Sequence, residues 1–169
     1  MMSKTKYAVT MLTAISLGGV AYTQSKEGTS LKPYKDSGGV ATIATGATYY
    51  EDGTKVKITD PPITKERAAK LLKVHMSKDA KIFNKTLLNL PLSQAEYDLY
   101  LDFTYQYGTG TWSKSAMLTQ LKKGKYRQAC KALLDYKYVS KRDCSIRKNN
   151  CFGVWIRINE RYKKCLEAQ

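Results

Sequence analysis

Residues 27–48 constrain the fold of this chain more than any other stretch. They read EGTSLKPYKDSGGVATIATGAT and follow an uncharged run, residues 7–25, after a single lysine. Pro33 prevents a helix from continuing through this stretch. Ser37-Gly38-Gly39 predicts a turn, and residues 40–45, a run rich in β-branched side chains, predict a strand. We therefore expect loops and a small sheet over residues 26–60, holding two acidic residues on short segments.

The pattern becomes helical after Pro61-Pro62. Thr64 is a helix cap, and the apolar spacing behind it predicts a helix to residue 87 or 88. Ser93-x-x-Glu96 is a capping box that opens a second helix, ending at Gly108. Further helices are predicted over the following ranges: 114–123, 125–136 and 152–167. The chain therefore predicts an α+β fold, with a small sheet lobe followed by a larger helical lobe.

The N-terminal run 7–25 contains 19 residues without a charge, behind a short basic start. As a helix it would just reach across a bilayer of about 30 Å. Its polar residues and Gly18-Gly19 make it a weak membrane segment, so it predicts export with the N-terminus in the cytoplasm. Three interpretations remain open: a signal peptide cleaved after Ala21, an uncleaved segment that later leaves the bilayer, and a helix buried in a soluble fold.

The chain is strongly basic, with 29 Lys+Arg against 14 Asp+Glu and a net charge of +15. Such a surface attracts nucleic acid, anionic lipid or an acidic cell wall, and charge alone does not choose among them. An export-type N-terminus and paired cysteines argue against a nucleic-acid partner. A non-enzymatic cationic protein that binds the wall or the membrane stays open as a competing function.

Four cysteines lie in the last 40 residues: Cys130, Cys144, Cys151 and Cys165. They contain no Cys-x-x-Cys, and the single histidine, His75, is distant and fits a packing role, so we expect no metal site. An even count favours two disulfides and an oxidising compartment. Of the three connectivities we favour Cys130–Cys165 with Cys144–Cys151; four reduced thiols in a cytosolic protein are the alternative.

Carboxylate chemistry is the best-supported chemistry in this sequence. Motifs for serine or cysteine nucleophiles and for phosphate binding are missing. Glu27 and Asp36 are the only acidic residues before Glu51. Glycoside hydrolysis needs one carboxyl group that donates a proton and a second that directs water or stabilises charge. Two carboxylates nine residues apart are common, so this spacing alone is weak evidence.

The same stretch carries a more specific resemblance. Written as E-G-x2-L-x2-Y-x-D-x2-G-x2-T, residues 27–42 resemble the catalytic signature of the phage-type lysozymes, glycoside hydrolase family 24. Similarity continues through SQAEYDLYLDFTYQYGTGTW (93–112), KSAMLTQLKKGKYRQACKAL (114–133) and GVWIRINERYKKC (153–165). The resemblance covers roughly residues 26–166, nearly the whole body of the chain.

This resemblance implies a lysozyme-like fold with a cleft between its lobes. It also implies a muramidase that hydrolyses the β-1,4 bond between N-acetylmuramic acid and N-acetylglucosamine in peptidoglycan, without a cofactor and as a monomer. Carried over, Glu27 is the general acid, and Asp36 and Thr42 position and activate water with inversion. The residues expected along the far wall of the cleft are Tyr105, Gln106 and Ser115.

Four positions depart from the family pattern. Ala44 replaces a glycine and Ala47 replaces a histidine in the segment T-I-G-x-G-H-T, which puts the loop conformation and the cleft shape in question. In the C-terminal segment, Ile158 replaces an arginine and Arg161 replaces a glutamate. We expect the change at Arg161 to remove an ion pair from the helical lobe.

The N-terminal run resembles that of the signal-arrest-release endolysins of this family. This implies two parts: residues 1–26 as a release segment and 27–169 as the muramidase domain. The enzyme would be exported tethered and inactive at the periplasmic face of the host inner membrane, then released into the periplasm. Residues 1–129 contain no cysteine, so we expect regulation by position, with only Lys26 between the run and Glu27. A cleaved signal peptide and a host or effector lysozyme are the alternatives.

Overall fold

The structure is a computed structural model that describes residues 14–36 and 38–169 and the backbone of residues 7–8. Residues 1–6 and 9–13 of the predicted release segment, and Ser37, lie outside the described residues. The described chain divides into two compact units, residues 14–81 and residues 82–169, and residues 7–8 belong to the second unit. We call these the smaller unit and the helical unit.

The elements follow in chain order: β1 (Tyr7–Ala8), α1 (Leu17–Glu27), β2 (Ser30–Lys35), β3 (Ala41–Ala44), α2 (Lys65–Thr86), β4 (Pro91–Leu92), α3 (Gln94–Tyr107), α4 (Thr109–Ser113), α5 (Ala116–Lys122), α6 (Tyr126–Ala132), β5 (Tyr138–Val139), β6 (Arg142–Asp143) and α7 (Phe152–Glu167). Short 3-10 turns occupy Leu133–Tyr136 and Arg147–Asn149. The described strands form three two-stranded antiparallel sheets, β1–β4, β2–β3 and β5–β6. Short sheets among many helices confirm the predicted α+β class.

The uncharged N-terminal run contributes to two elements. Its first two residues form β1, in which Tyr7 pairs with Leu92 and Ala8 with Pro91. Its second half forms most of α1, because the Ser16 side chain accepts a hydrogen bond from the Gly19 amide and so caps the helix there (3.0 Å). Within the described part of the chain, no helix combines the length and apolar character needed to cross a membrane.

The smaller unit is built on the β2–β3 ribbon and one end of α2. In the ribbon Tyr34 faces Thr42 and Ser30 faces Ala44, with a bulge in between. The Thr64 hydroxyl accepts a hydrogen bond from the Arg67 amide, which confirms the predicted cap of α2 (3.1 Å). Behind the ribbon lies an apolar cluster of buried residues: Ile43, Ala44, Ala47, Val56, Ile63, Ala68 and Leu71. α1 extends two residues into the range predicted as loop, because its last turn closes at Gly28.

The helical unit has an aromatic core. Trp112 is fully buried and contacts the rings of Phe83, Tyr100 and Phe103 at centroid distances of 4.9, 5.3 and 6.4 Å. Its indole N–H donates to the Thr86 hydroxyl (2.8 Å), so its one polar atom is satisfied inside the core. Burial raises the pKa of Tyr100 far above its ordinary value, which keeps this core tyrosine neutral.

Predicted and observed helix limits agree closely in this unit. α7 occupies the predicted range, and the Ser93–Glu96 capping box opens α3 as predicted. α5 starts at Ala116 instead of 114 because Ser115 supplies its N-cap. The predicted helix 125–136 continues past Ala132 only as a 3-10 turn.

Two disulfides hold the C-terminal part of the helical unit. Cys130 is joined to Cys165 and Cys144 to Cys151, with Cα–Cα distances of 5.5 and 4.9 Å. This is the connectivity that the sequence favours. The first disulfide links α6 to α7, and the second closes a short loop before α7.

Arg161, where the family pattern has a glutamate, forms a buried ion pair of its own in the helical unit. The Arg161 guanidinium donates to Oδ2 of Asp102 through Nε (2.9 Å) and one terminal nitrogen (2.6 Å), and each side chain is only 1 % exposed. Arg157 approaches the other carboxylate oxygen at 3.7 Å. Asp102 was available on α3, 59 residues away in the chain, so the arginine gained a buried acidic partner. Ile158, beside it on α7, is buried as an ordinary core residue.

Candidate active site

Glu27 is the last residue of α1, and its side chain is exposed. The helix ends here because Gly28 takes a positive φ of 75° while its amide still donates to the Gln24 carbonyl (3.1 Å). Glycine adopts that conformation without steric cost. The chain then enters β2 after two residues. The carboxyl group is therefore held at the junction of a capped helix and the β2–β3 ribbon.

Asp36 directly follows β2 and is half-buried. Its Oδ1 accepts hydrogen bonds from two backbone amides, those of Gly38 and Val40, both at 2.9 Å. Its own amide donates to the Val40 carbonyl (3.0 Å), and its carbonyl accepts from Gly39 (2.9 Å). This is an aspartate that organises the turn after it through its side chain. The orientation of the carboxyl group is thus fixed by backbone atoms of the turn, and Oδ2 is not used in these bonds.

Thr42 lies on β3 opposite Tyr34, and it is 2 % exposed. Its hydroxyl donates to the carbonyl of Val40 (3.0 Å). That carbonyl also accepts the Asp36 amide, while the Val40 amide donates to the Asp36 carboxylate. The Val40 peptide groups therefore connect Asp36 and Thr42, and the structure brings these two predicted residues together on one ribbon.

The turn residues Gly38 and Val40 orient the Asp36 carboxylate through their amides, a contribution that sequence reasoning missed. A Cβ atom added to Gly38 would lie 3.3 Å from Oδ1 of Asp36, so the missing side chain leaves room for the carboxylate. The Asp-x-Gly-Gly spacing indicates an aspartate-stabilised turn and was the available signal. Nothing in the sequence indicated that Val40, an exposed β-branched residue, contributes through its backbone.

The departures at Ala44 and Ala47 are accommodated by the backbone. Ala44 keeps a left-handed φ of 54°, a conformation that glycine adopts more easily. Ala47 closes the turn after it, exchanging two backbone hydrogen bonds with Ile43, each 2.9 Å long. Both alanines are buried in the core of the smaller unit, at 2 % and 5 % exposure. A short loop is thus formed here with alanines in place of the family's glycine and histidine.

His75 is satisfied structurally, as the sequence analysis expects. Its Nε2 lies 2.9 Å from the carbonyl oxygen of Tyr49, within the smaller unit. Among the described residues, no three His, Cys, Asp or Glu side chains lie close enough together to hold a metal ion.

The three residues expected along the far wall of the cleft belong to the helical unit. Tyr105 and Gln106 lie in the last turn of α3, half-buried and exposed respectively. Ser115 is 2 % exposed, and its hydroxyl accepts a hydrogen bond from the Leu118 amide (3.1 Å), capping α5. Ser115 therefore has a structural task in the helical unit, whereas Gln106 presents its amide at the surface.

Comparison with known proteins gives a consistent result. Residues 24–149 match the sequence model of the phage lysozyme family. The endolysin of Salmonella phage P22 is 33% identical over 129 residues, covering 75% of this chain and 86% of that protein. The SAR-endolysin of Escherichia phage N15 is 27% identical over 163 residues, covering 90% of each chain.

A solved structure supports the same assignment. The crystal structure of a mutant of P22 lysozyme superimposes with a TM-score of 0.78 at 29% sequence identity, covering 90% of this chain and 98% of that one. The family match contains Glu27, Asp36 and Thr42, the residues whose geometry is described above. With a matching family model over most of its length and this fold, the chain belongs to the phage lysozyme family and is a glycoside hydrolase.

Proposed function

We propose that the chain is a muramidase that hydrolyses the β-1,4 bond between N-acetylmuramic acid and N-acetylglucosamine in peptidoglycan. The observation that carries this proposal is the arrangement of residues 27–42 in the smaller unit. A capped helix ends at one carboxyl group, and a ribbon directly behind it fixes a second carboxyl group through two backbone amides. Two carboxyl groups in different surroundings are what glycosidic cleavage requires.

In this proposal Glu27 donates its proton to the glycosidic oxygen as the bond to the anomeric carbon breaks. Asp36 accepts a proton from a water molecule that attacks this carbon from the opposite face, so the configuration inverts. The amides of Gly38 and Val40 hold Oδ1 of Asp36, which directs Oδ2 toward the water. The Thr42 hydroxyl donates to Val40 and keeps its oxygen lone pairs for the same water. Asp36 then releases its proton to solvent and Glu27 takes one up, which restores both carboxyl groups.

Glycan binding is proposed for Tyr105, Gln106 and Ser115. Gln106 is exposed and offers an amide that can both donate to and accept from sugar hydroxyl and acetamido groups. Tyr105, one residue earlier on α3, offers an aromatic surface. For Ser115 the cap of α5 supports an indirect contribution, since its hydroxyl is already used by the Leu118 amide.

The general-acid role is tested with Glu27→Gln on purified peptidoglycan. Loss of a positioned general acid costs typically 10²–10⁴-fold in rate, so we expect kcat to fall at least about 100-fold. Glu51→Gln is the matched control, because this carboxylate lies in the same unit but pairs with Arg67 (3.6 Å). The control should keep its rate within about twofold. Muramidase activity that survives Glu27→Gln would remove Glu27 from the mechanism.

Export in a tethered, inactive form and later release form the second part of the proposal. Support comes from the uncharged run itself and from relatives named SAR-endolysins. The run supplies nine of the eleven residues of α1, and this helix ends at Glu27. While residues 7–25 lie in a bilayer, α1 cannot adopt the position that it has here. Glu27 would then be held at the lipid surface. Release would allow α1 to form and to bring Glu27 into its catalytic position.

Retention of the segment is favoured over cleavage after Ala21. Cleavage there would remove Ser16, which caps α1, and the first five residues of the helix. A helix shortened to six residues without its cap would be marginal. The mass of the periplasmic protein tests this directly. We expect the uncleaved chain, and a mass corresponding to a chain that starts at Tyr22 would exclude regulation by release while leaving the muramidase assignment intact.

A further inference from the structure

A compact basic surface lies in the helical unit, distant in sequence from the residues assigned to catalysis. We call residues 137–151 the stapled loop. The β5–β6 hairpin forms its first half and turns tightly at Ser140 and Lys141, which both take positive φ (47° and 66°). The Cys144–Cys151 disulfide closes its second half. The Cys144 amide donates to the Lys137 carbonyl (2.8 Å), extending the hairpin to the disulfide. The loop is therefore held rigid at both ends.

The stapled loop is strongly positive, and its only acidic residue already pairs with a lysine of the same loop. Asp143 is that acid, and its carboxylate lies 2.8 Å from Nζ of Lys137. This hydrogen bond is the largest contribution that lowers the pKa of Asp143 to about 2, so the pair is neutral overall at physiological pH. The loop's other four cations are exposed and have no acidic partner among the described residues: Lys141, Arg142, Arg147 and Lys148.

Apolar side chains are exposed within the same loop. Tyr138 is 55 % exposed and Ile146 is 44 % exposed. Arg147 lies over the Phe152 ring, with its guanidinium carbon 4.2 Å from the ring centroid, which places one cation at the base of the loop.

We propose that the stapled loop docks on an anionic phospholipid surface. The anionic headgroups of such a surface attract Lys and Arg side chains that lie near it, and tyrosine is favoured at the boundary between headgroups and acyl chains. Four cations without acidic partners match lipid phosphates. The two exposed apolar side chains can enter the acyl-chain region of such a surface, whereas a glycan chain has no such region. This contact is separate from the N-terminal run and does not rest on the proposed function.

A second basic cluster in the same unit provides the comparison. Lys122, Lys123, Lys125 and Arg127 are also exposed and carry four positive charges around the turn between α5 and α6. Tyr126 among them is half-buried, and no large apolar side chain of this turn is exposed. If charge alone drove binding, both clusters would contribute equally. The stapled loop differs in its rigid hairpin and its two exposed apolar residues.

The test uses the full chain and sedimentation with vesicles of phosphatidylcholine alone or with 30 mol% phosphatidylglycerol. The loop variant carries four substitutions: Lys141→Gln, Arg142→Gln, Arg147→Gln and Lys148→Gln. The control variant carries Gln at residues 122, 123, 125 and 127, so both lose the same charge. Since every chain retains residues 7–25, binding to neutral vesicles measures what the N-terminal run contributes.

We expect the loop variant to lose at least about tenfold in affinity for anionic vesicles and the control variant less than about threefold. Tyr138→Ser with Ile146→Ser should lose about threefold or more. A triple variant that keeps Arg147 guards against loss of its packing on Phe152, and circular dichroism spectra of all variants verify folding. Equal losses in both clusters, equal wild-type binding to neutral and anionic vesicles, or competition by millimolar inorganic phosphate would each overturn the proposal. The proposal would also be overturned if the loop variant lost its binding to peptidoglycan and kept its binding to anionic vesicles.

Discussion

The two compact units maintain their structures by different means. The helical unit has two disulfides, a buried ion pair between Asp102 and Arg161, and an aromatic core around Trp112. The described part of the smaller unit has no disulfide, and the turn around Asp36 is fixed by backbone hydrogen bonds. The difference teaches that covalent and buried polar stabilisation is concentrated away from the proposed catalytic carboxylates. Stability and chemistry should therefore be separable by substitution.

The largest effect on stability is expected in the helical unit at Asp102. Asp102→Ala leaves the buried Arg161 guanidinium without its acceptor, and breaking a buried pair in this way costs about 3–5 kcal/mol. Urea denaturation measures the free energy of unfolding. The control is Asp135→Ala, an exposed acid in the same unit, expected to change it by less than about 0.5 kcal/mol. A cost below about 1 kcal/mol for Asp102→Ala would show that this ion pair does not stabilise the unit.

The two disulfides should contribute unequally. By loop-closure entropy, removing Cys130–Cys165, with a separation of 35 residues, costs about 4 kcal/mol. Removing Cys144–Cys151, with a separation of 7, costs about 2 kcal/mol. Thermal unfolding of the two double Cys→Ser variants gives the comparison. Equal losses, or a larger loss at the shorter loop, would mean that strain or residual structure outweighs chain entropy.

In the smaller unit, restoring the family's histidine should be harmful. Ala47 is buried in the apolar cluster, so Ala47→His overpacks it at a cost of about 1–3 kcal/mol. Thr48→His, at the half-buried neighbouring position, should cost less than 1 kcal/mol by this reasoning. The denaturant midpoints of the two variants measure these two costs. An Ala47→His protein as stable as the wild type would mean that space for the ring exists and that the loop was misjudged.

The smallest effect is expected at Ala44. Ala44→Gly relieves a left-handed conformation worth about 1–2 kcal/mol, but it loses a buried methyl and adds freedom to the unfolded chain, each worth about 0.4–1 kcal/mol. The net change should stay within about 1 kcal/mol. Ala41→Gly on the same strand is the control, because Ala41 does not have a positive φ and so carries no such strain. This substitution should cost about 1 kcal/mol. Equal destabilisation by both substitutions would contradict the strain.

Local patterns in the sequence predicted much of this fold. The capping box at Ser93–Glu96 and the apolar spacing behind Thr64 both involve residues within one or two helical turns of each other. Such short-range interactions can be read from spacing alone. The α+β class followed from the change of pattern near Pro61 for the same reason.

Long-range contacts could not be predicted in this way. Arg161 and Asp102 are 59 residues apart, so the family pattern suggested a lost ion pair where tertiary packing supplied a new one. The same holds for Val40, whose importance comes from its peptide groups and not from its side chain. The residues of the candidate site were identified by resemblance, whereas the bonds that fix Asp36 became visible only in the structure.

Asp36→Asn tests the central claim most directly, because one substitution measures both chemistry and stability. Asparagine keeps a side-chain oxygen that can accept the amides of Gly38 and Val40, so the turn should persist while the charge is lost. We predict that the rate of peptidoglycan hydrolysis falls at least about 100-fold while the free energy of unfolding changes by less than about 1 kcal/mol. A variant that hydrolyses peptidoglycan at nearly the wild-type rate would contradict the account and remove the Asp36 carboxylate from the mechanism.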